Sequence, residues 1–503
     1  MGYIDNTTFD FIKKNDSTYV TSFTLGRKIK SIHIYIGRNN LFDDLLDLDN
    51  KKDTLVLPYS EIDSFLKQTI QRLEQNGFAL SRLKLTNIKR MNTVIYADLQ
   101  LESDKKRILN SIIINYAKNP KSNKFPLGHL AQINRKYKNT IFNQKIVDQI
   151  HNDFEKFGFV TQIKYPEILF TRDTTKVYVY LEKRNANTFD GFIGFYTNEK
   201  EKIALTGYLN LKLENILGTG EQFLIQWKSD GNDQKIFKTS LELPYLLKSP
   251  IGLKAQLHLF RQDTTFQNTK TAIDLSYFSN YNTRFYLGYQ ATTSSDIQNQ
   301  NSTSLSDFNN SFLTSSFEHS KSDPINYTFP IKTKIFASLG IGKRIINKIS
   351  SDSKNNQLAV TIDAMHNFYL NKKNSININS QNYYLKSKTY VTNELFRFGG
   401  FNSIRGFTEN SLQAYFTTSI LTEYRYSLSP DLYMHSILDY CLFKHKSGVE
   451  KADTTVNLIG VGLGIGLQTK NGLLKLAVAN GNTKKQQFEI YNTIIHISYN
   501  VKF

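Results

Sequence analysis

The segment GGFNSIRGF, residues 399–407, surrounds one arginine with glycines and aromatic residues. Gly399, Gly400 and Gly406 permit backbone angles that other residues resist, so this segment can turn sharply. Arg405 is permanently charged and needs a carboxylate or water wherever it lies. The chemistry that these residue types allow is an ion pair with Arg405 as the cation.

Two acidic residues in the segments that follow are candidate partners for this arginine. Glu423 shares the polar face of the predicted strand LQAYFTTSILTEYRYSL with Gln413, and Asp439 lies on the polar face of LYMHSILDYCLF. If the arginine segment folds into a barrel built from these strands, Arg405 can reach both carboxylates in charge-assisted hydrogen bonds. The alternative is a solvated arginine on a mobile surface loop.

Motifs of catalysis and cofactor binding are missing from the sequence. It contains no Gly-x-Ser-x-Gly, His-Glu-x-x-His or phosphate-binding loop, and no helix follows the alternate glycines of LIGVGLGIGLQ. Those glycines instead leave one face of a strand free for a loop to approach. The single cysteine, Cys441, excludes an intrachain disulfide and a cysteine-based metal cluster. We therefore predict no enzyme activity, no catalytic residue, no metal site and no cofactor.

Charge and hydropathy narrow the classes of partner. The chain has 63 lysine and arginine residues against 44 acidic ones, a formal net charge of +19. The lysines are scattered along polar faces and loops, which favours a solvated surface or contact with lipid headgroups over binding of nucleic acid. No stretch approaches the ~20 apolar residues of a membrane-spanning helix. The first residues lack the apolar core of a secretory signal, and the native signal peptide stays open.

From about residue 185 onward the sequence has a period of two. LTGYLNLKL and GLKAQLHLF alternate apolar with polar residues, as strands of a transmembrane β-barrel or of a soluble β-sandwich do. About sixteen such segments, joined alternately by short turns and long polar loops, favour the barrel. The chain ends in TIIHISYNVKF, where Tyr499, Val501 and Phe503 share one face. Residues 185–503 are therefore predicted to form a 16-stranded antiparallel transmembrane β-barrel.

The first 184 residues repeat one plan of secondary structure. RKIKSIHIYIG has the pattern of a strand, PYSEIDSFLKQTIQRLEQNGF that of a helix ending at Gly77, and two strands follow. About eighty residues later the plan returns, with a helix in NQKIVDQIHNDFEKFG. We predict two α+β modules, at residues 1–102 with an N-terminal extension and at residues 103–184. Their open sheet edges could accept a strand from another chain, the alternative being a purely structural spacer.

FRFGGFNSIRGF resembles the [V/I]-R-G-[F/Y] loop motif of the BamA/TamA-like superfamily of outer-membrane assembly and translocation barrels. The resemblance covers nearly the whole chain, including NLKLENILGTGEQFLIQW, and the two modules resemble the POTRA modules of that family. In the family this loop folds into the barrel lumen, where its arginine contacts acidic residues on neighbouring strands. Glu423 and Asp439 match those acids best, and TIIHISYNVKF resembles the terminal strand by which such barrels are recognised for insertion. The resemblance assigns the lumen-loop motif to Gly399, Gly400, Ile404, Arg405, Gly406 and Phe407.

The resemblance implies a location in the outer membrane of a Gram-negative bacterium, with the POTRA modules in the periplasm. Unfolded outer-membrane or secreted client proteins would dock on the modules and be inserted or exported through the barrel or its lateral seam. Accessory lipoproteins are a further class of partner that the family allows. Two modules are typical of two-partner secretion, so a transporter of one dedicated substrate is an alternative, and a passive outer-membrane pore is another. The client, the transport of lipid instead of protein, and a gating or bracing role for the Arg405 loop stay open.

Overall fold

The computed structural model consists mostly of strands and divides into two compact units. The first unit comprises Met1–Asn115, Asn134–Asn152 and Lys164–Tyr180, and the second comprises Tyr116–Ile133, Asp153–Ile163 and Leu181–Phe503. Among the helices of the described residues, none is long and apolar enough to cross a membrane. The structure describes residues 2–37, 53–116, 125–197, 203–229, 234–280, 282–298, 305–323, 326, 328–329, 331–346, 353–445, 454–469, 472–483 and 493–502.

The N-terminal part of the chain contains two small two-stranded sheets and one mixed four-stranded sheet with a helix. Its elements are β1 Thr7–Thr8, β2 Ile12–Asn15, β3 Thr18–Val20, β4 Phe23–Thr24, β5 Ser31–Tyr35, β6 Thr54–Pro58, α1 Ile62–Gln75, β7 Arg82–Met91 and β8 Val94–Glu102. The larger sheet has the order β6-β5-β8-β7, with β5 parallel to β8. Ile62 and Phe65 of α1 pack against a buried apolar group that includes Ile34, because residues three or four apart share one helix face. Gly77, at φ +94°, follows the end of the helix.

The second predicted module contains a three-stranded sheet and two helices. Its elements are β9 Leu109–Tyr116, α2 Leu127–Tyr137, α3 Gln144–Phe154, β10 Val160–Phe170 and β11 Thr175–Lys183. The sheet order is β10-β11-β9. Apolar spacing predicted α3 but not α2. Segments of this module belong to both compact units, and the domain boundaries after residues 102 and 184 stay predictions.

The predicted 16-stranded antiparallel barrel is confirmed, and it is closed. Neighbours in the chain are neighbours in the barrel, except that two strands form a separate small sheet between the eleventh and twelfth barrel strands. The separate sheet consists of β23 Phe396–Phe398 and β24 Leu412–Ala414. The barrel strands are β12 Thr188–Thr197, β13 Ile203–Glu214, β14 Gln222–Ser229, β15 Gln234–Leu243, β16 Ile251–Gln262, β17 Phe266–Asn280, β18 Thr283–Asp296, β19 Phe308–Ser322, β20 Ile331–Ile346, β21 Ser353–Tyr369, β22 Asn374–Lys386, β25 Phe416–Ser427, β26 Leu432–His445, β27 Thr454–Gln468, β28 Gly472–Thr483 and β29 Ile494–Lys502.

Side chains alternate between the lumen and the outer surface along the barrel strands. On β26, the side chains of Met434, Leu438 and Tyr440 are exposed, whereas those of His435 and Asp439 are buried. Apolar groups outside and polar groups inside suit a barrel surrounded by lipid. The parity of a strand position therefore decides which polar residues can meet in the lumen.

The seam that closes the barrel is short. β12 and β29 are registered through two residue pairs, Thr188 with Lys502 and Phe189 with Val501. Every other pair of neighbouring barrel strands is registered through at least eight residue pairs, the number that joins β13 to β14, β14 to β15 and β28 to β29. Within the described residues, the β12–β29 seam is thus the shortest pairing in the barrel.

The segment after the arginine motif differs from the prediction of one continuous strand. β25 begins at Phe416, while β24 pairs with β23 in a small sheet that is separate from the barrel sheet. Tyr415 lies at the break, and its ring stacks on that of Tyr390 with 4.7 Å between centroids. Gln413 therefore belongs to the loop and not to the barrel wall, because the chain joins the barrel register only after the break.

Candidate functional site: the lumen loop

Residues 387–415 connect β22 to β25 and are called the lumen loop, because they contact inward-facing groups of the barrel strands. The turn at the end of β23 uses Gly399 and Gly400, at φ +107° and +101°, and Ser403 N donates to Gly400 O at 3.1 Å. Gly406 has φ +86°. Side chains rarely accept these backbone angles, so all three positions favour glycine.

Arg405 lies buried against the inner wall, where its principal partner is Asp439 on β26. The exposed fraction is 4% for Arg405 and 0% for Asp439. Arg405 Nε donates to Asp439 Oδ2 at 2.7 Å and Nη2 donates to Oδ1 at 2.5 Å, which is a bidentate arrangement. The backbone N–H of Arg405 also donates to Oδ2, at 3.1 Å. Asp439 thus positions both the side chain and the backbone of the loop at this point.

Glu423 on β25 is shared between two arginines. It accepts a hydrogen bond from Arg405 Nη1 and another from Arg425 Nε, the latter at 2.7 Å. Arg425 also donates to Asn367 Oδ1 at 3.0 Å, and its guanidinium carbon lies 4.3 Å from the centre of the Phe329 ring. Two cations and two anions therefore balance in this cluster, which offsets the cost of burying each charge.

Sequence reasoning put Arg425 on the polar face with Glu423 but did not include it in the ion-pair cluster. It placed Arg405 with Glu423 and Asp439, and the structure brings these three side chains together. It gave no partner to Arg425, whose Nη2 lies 2.6 Å from Glu423 Oε2. The signal was present, because residues two apart on a strand point to the same face.

Apolar side chains surround the ion pairs. Ile404 is fully buried, and Phe407 packs against the same apolar group. Electrostatic interactions strengthen where water is excluded, so this group reinforces the contacts of the neighbouring Arg405. The buried members of the group are Phe398, Ile404, Ala414, Cys441, Phe443 and Leu458.

Glycines on β27 and β28 let the loop backbone approach the wall. A Cβ atom at Gly460 would lie 2.2 Å from Arg405 O. A Cβ atom at Gly481 would lie 2.5 Å from Gly406 O and 2.7 Å from the Phe407 ring. All three distances are too short for a side chain without movement of the loop, so these glycines are part of the site.

The lumen loop also contacts strands far from β25 and β26. These contacts run from the third barrel strand to the last one, so the loop lies across the lumen. They join Arg397 to the rings of Phe260 on β16 and Phe266 on β17, Glu409 to Lys228 on β14, and Phe401 to His496 on β29.

The predicted terminal signal lies on β29 and beyond it. Val501 is registered with Phe189 across the seam and with Gly472 on β28, and Tyr499 is registered with Leu474. Phe503 lies outside the described residues. The terminal strand thus provides one side of the short seam.

The family model of the Omp85 superfamily domain matches residues 215–497, which are more than half of the chain. This chain belongs to the Omp85 superfamily. The matched residues of this Omp85 chain include the whole lumen loop, Glu423 and Asp439. No protein with a curated description matches the sequence.

Solved structures share the fold of this Omp85 chain at low sequence identity. BamA from Haemophilus ducreyi lacking POTRA domains 1–3 is 14% identical with a TM-score of 0.54, and the match covers 94% of this chain and 99% of that one. CdiB from Acinetobacter baumannii is 14% identical with a TM-score of 0.54, over 94% and 90% of the two chains. CdiB from Escherichia coli is 12% identical with a TM-score of 0.53, over 98% and 93%.

As a member of the Omp85 superfamily, this chain is an outer-membrane β-barrel that takes part in protein transport. It supports a general role in the insertion or secretion of proteins at the outer membrane. The family and the fold are common to both activities, so neither one is singled out.

Proposed function

We propose that this Omp85 chain is an assembly or translocation factor that docks unfolded clients on its periplasmic modules and passes them to the barrel. The observation that carries the proposal is the closing seam, where two residue pairs join β12 to β29. Opening so short a seam breaks few backbone hydrogen bonds. A client strand could then pair with the exposed edge, because an unpaired edge is a template for strand addition.

The sheet edges of the modules support docking by strand addition. In the four-stranded sheet the edges are β6, which contains Pro58, and β7, whose pairing is irregular between Thr86 and Lys89. In the three-stranded sheet the edges are β10, which contains Pro166, and β9. Proline lacks the N–H that strand addition needs. β9, with the sequence LNSIIINY, is therefore the most regular edge for an incoming client strand.

The position of the lumen loop disfavours the alternative of a passive pore. Its contacts extend from β14 to β29, so the loop crosses the path that a steady ionic current would take. A channel that conducts only when its loop is displaced suits a transport cycle better than constant diffusion.

The test is quantitative proteomics of the outer membrane and the medium after depletion of this protein in its host. We expect many barrel proteins to be lost together if the chain is a general assembly factor. Loss of one secreted or surface protein would instead identify a dedicated transporter and its substrate. Unchanged levels in both fractions would overturn the proposal and return the pore to consideration.

A further inference from the structure

A second ion pair joins the lumen loop to the barrel wall, away from Arg405. Arg344 on β20 and Glu394 in the first part of the loop have exposed side-chain fractions of 0% and 2%. Arg344 Nη1 donates to Glu394 Oε2, and Gln357 on β21 donates to Glu394 Oε1. Arg344 Nη2 also donates to Thr389 Oγ1 of the loop at 2.7 Å. The pair is buried more completely than the contact of Arg405 with Glu423.

Neighbouring contacts fix the same part of the loop. Asn393 Nδ2 donates to Ser294 Oγ at 2.7 Å and to Ser306 O at 2.8 Å, while Asn393 O accepts from Asn268 Nδ2 at 2.7 Å. Val391 is buried with two apolar side chains of β19 and β20. The first half of the loop is therefore held by wall strands different from β25 and β26, which hold Arg405.

The two ion pairs have opposite polarity. The loop supplies the anion where Glu394 meets Arg344, and it supplies the cation where Arg405 meets Asp439. A loop shifted along the wall would separate both pairs and leave buried charges uncompensated, which is unfavourable in a desolvated site. The arrangement thus specifies one position of the loop as well as stabilising it.

We propose that Glu394 and Arg344 are positioning residues that hold the first half of the lumen loop independently of Arg405. The loop leaves the lumen completely only when both ion pairs break. This inference rests on the proposed function and deepens it, since two separate ion pairs must break when the loop is displaced during transport. Its test measures the loop itself and needs no client.

The experiment measures the rate at which a maleimide labels single cysteines in the purified, folded barrel in lipid. Val391→Cys reports on the first half of the loop and Ile404→Cys on the second. The two positions lie on either side of β23 in the chain, and both are buried in the wild-type protein. The native Cys441 packs in the same apolar group as the loop residue Ile404, so every reporter is placed in a Cys441→Ala background, and that background alone gives the unlabelled baseline. Each reporter is combined with Glu394→Gln, Arg344→Met or Arg405→Met. Glu242→Gln is the matched control, because its partner Arg284 belongs to the wall and not to the loop.

We expect Glu394→Gln and Arg344→Met to increase labelling at position 391 by about a hundredfold, because each change leaves a buried charge uncompensated. Labelling at position 404 should stay near the baseline in those variants and rise in Arg405→Met. Equal labelling at both positions in every variant would show that the loop is released as a single unit, which would overturn the proposal. Continued protection of position 391 in both variants would also overturn it.

Two further measurements keep the result interpretable. Heat-dependent mobility in a cold detergent gel separates folded from unfolded barrel, and only the folded band is scored. Glu394→Asp retains the charge, so it should label more slowly than Glu394→Gln if the ion pair is responsible. Independent release of the two halves with an unchanged proteome after depletion would refute the proposed function and leave this inference standing.

Discussion

At the scale of the residue, the two acids that contact Arg405 have unequal roles. Asp439 accepts both side-chain donors and the backbone N–H of Arg405. Glu423 accepts one Arg405 donor and keeps Arg425 as a second partner. Combining Arg405→Glu with Glu423→Arg would place a carboxylate beside Asp439 and a guanidinium beside Arg425. Such an exchange therefore cannot restore the native contacts.

The first prediction concerns these two acids. Asp439→Asn should destabilise the folded barrel by about 3–5 kcal/mol, because it removes the main counter-charge of a buried arginine. Glu423→Gln should cost less, about 1.5–3 kcal/mol, the range for a hydrogen bond to a charged group. Urea unfolding in lipid vesicles measures both free energies, and cycles with Arg405→Met give the two coupling energies. Asp274→Asn, on β17, is the control. A coupling energy for Glu423 equal to that for Asp439 would contradict the prediction.

At the scale of the element, the fit between the lumen loop and β27 depends on a missing side chain. Gly460→Ala would place a Cβ atom 2.2 Å from Arg405 O, so the loop backbone must shift. We expect a loss of about 1–3 kcal/mol of stability and faster proteolysis within residues 399–410, as for overpacking in a filled site. Gly340→Ala is the matched control, because its Cβ atom would lie 3.3 Å from its nearest neighbour, an atom of the Phe312 ring. Equal proteolysis of the two variants would show that the loop does not need the close approach to Gly460 to bind the wall.

A second element-scale prediction concerns α2, which carries the buried His129. Its ring lies among aromatic side chains, including Phe157 and Tyr245, and burial lowers its pKa to about 3 with help from the charge of Arg284. The unfolded chain binds this proton at a pH near 6.5, so acidification below that value favours unfolding. Thermal unfolding should thus show a lower Tm at pH 5 than at pH 7. His129→Phe should reduce this difference, and an unchanged difference would exclude His129 as a cause.

At the scale of the whole molecule, a 16-stranded barrel closes through a seam of two residue pairs. The prediction is that a disulfide across this seam stops transport. Cysteines at Thr188 and Lys502 face each other in the register, at a distance that suits a disulfide. Oxidation should block insertion or export of the clients found by depletion, and a reductant should restore it. Cysteines at Ala359 and Leu385, opposed on β21 and β22, form the control. Full activity of the oxidised seam variant would mean that clients do not use this seam.

Much of the fold and part of the site could be predicted, because both depend on local patterns. The period of two identified the barrel strands, and strand parity put Glu423 and Asp439 on the inner face with Arg405 as their candidate cation. Other features follow no local period. The break at Tyr415 depends on the loop pairing with itself, and the helix α2 contains His129 among its buried positions, which blurs the apolar stripe.

Local sequence was therefore sufficient to establish the class of fold, the arginine motif and the polarity of each strand face. Tertiary structure decided which charges meet and how firmly the barrel closes. Glu394 and Arg344 are 50 residues apart and become partners only when the loop crosses the lumen. The two-pair seam depends on where the first and last barrel strands meet after closure. Both depend on contacts between residues that are far apart in the sequence, and a pattern of neighbouring residues does not specify such contacts.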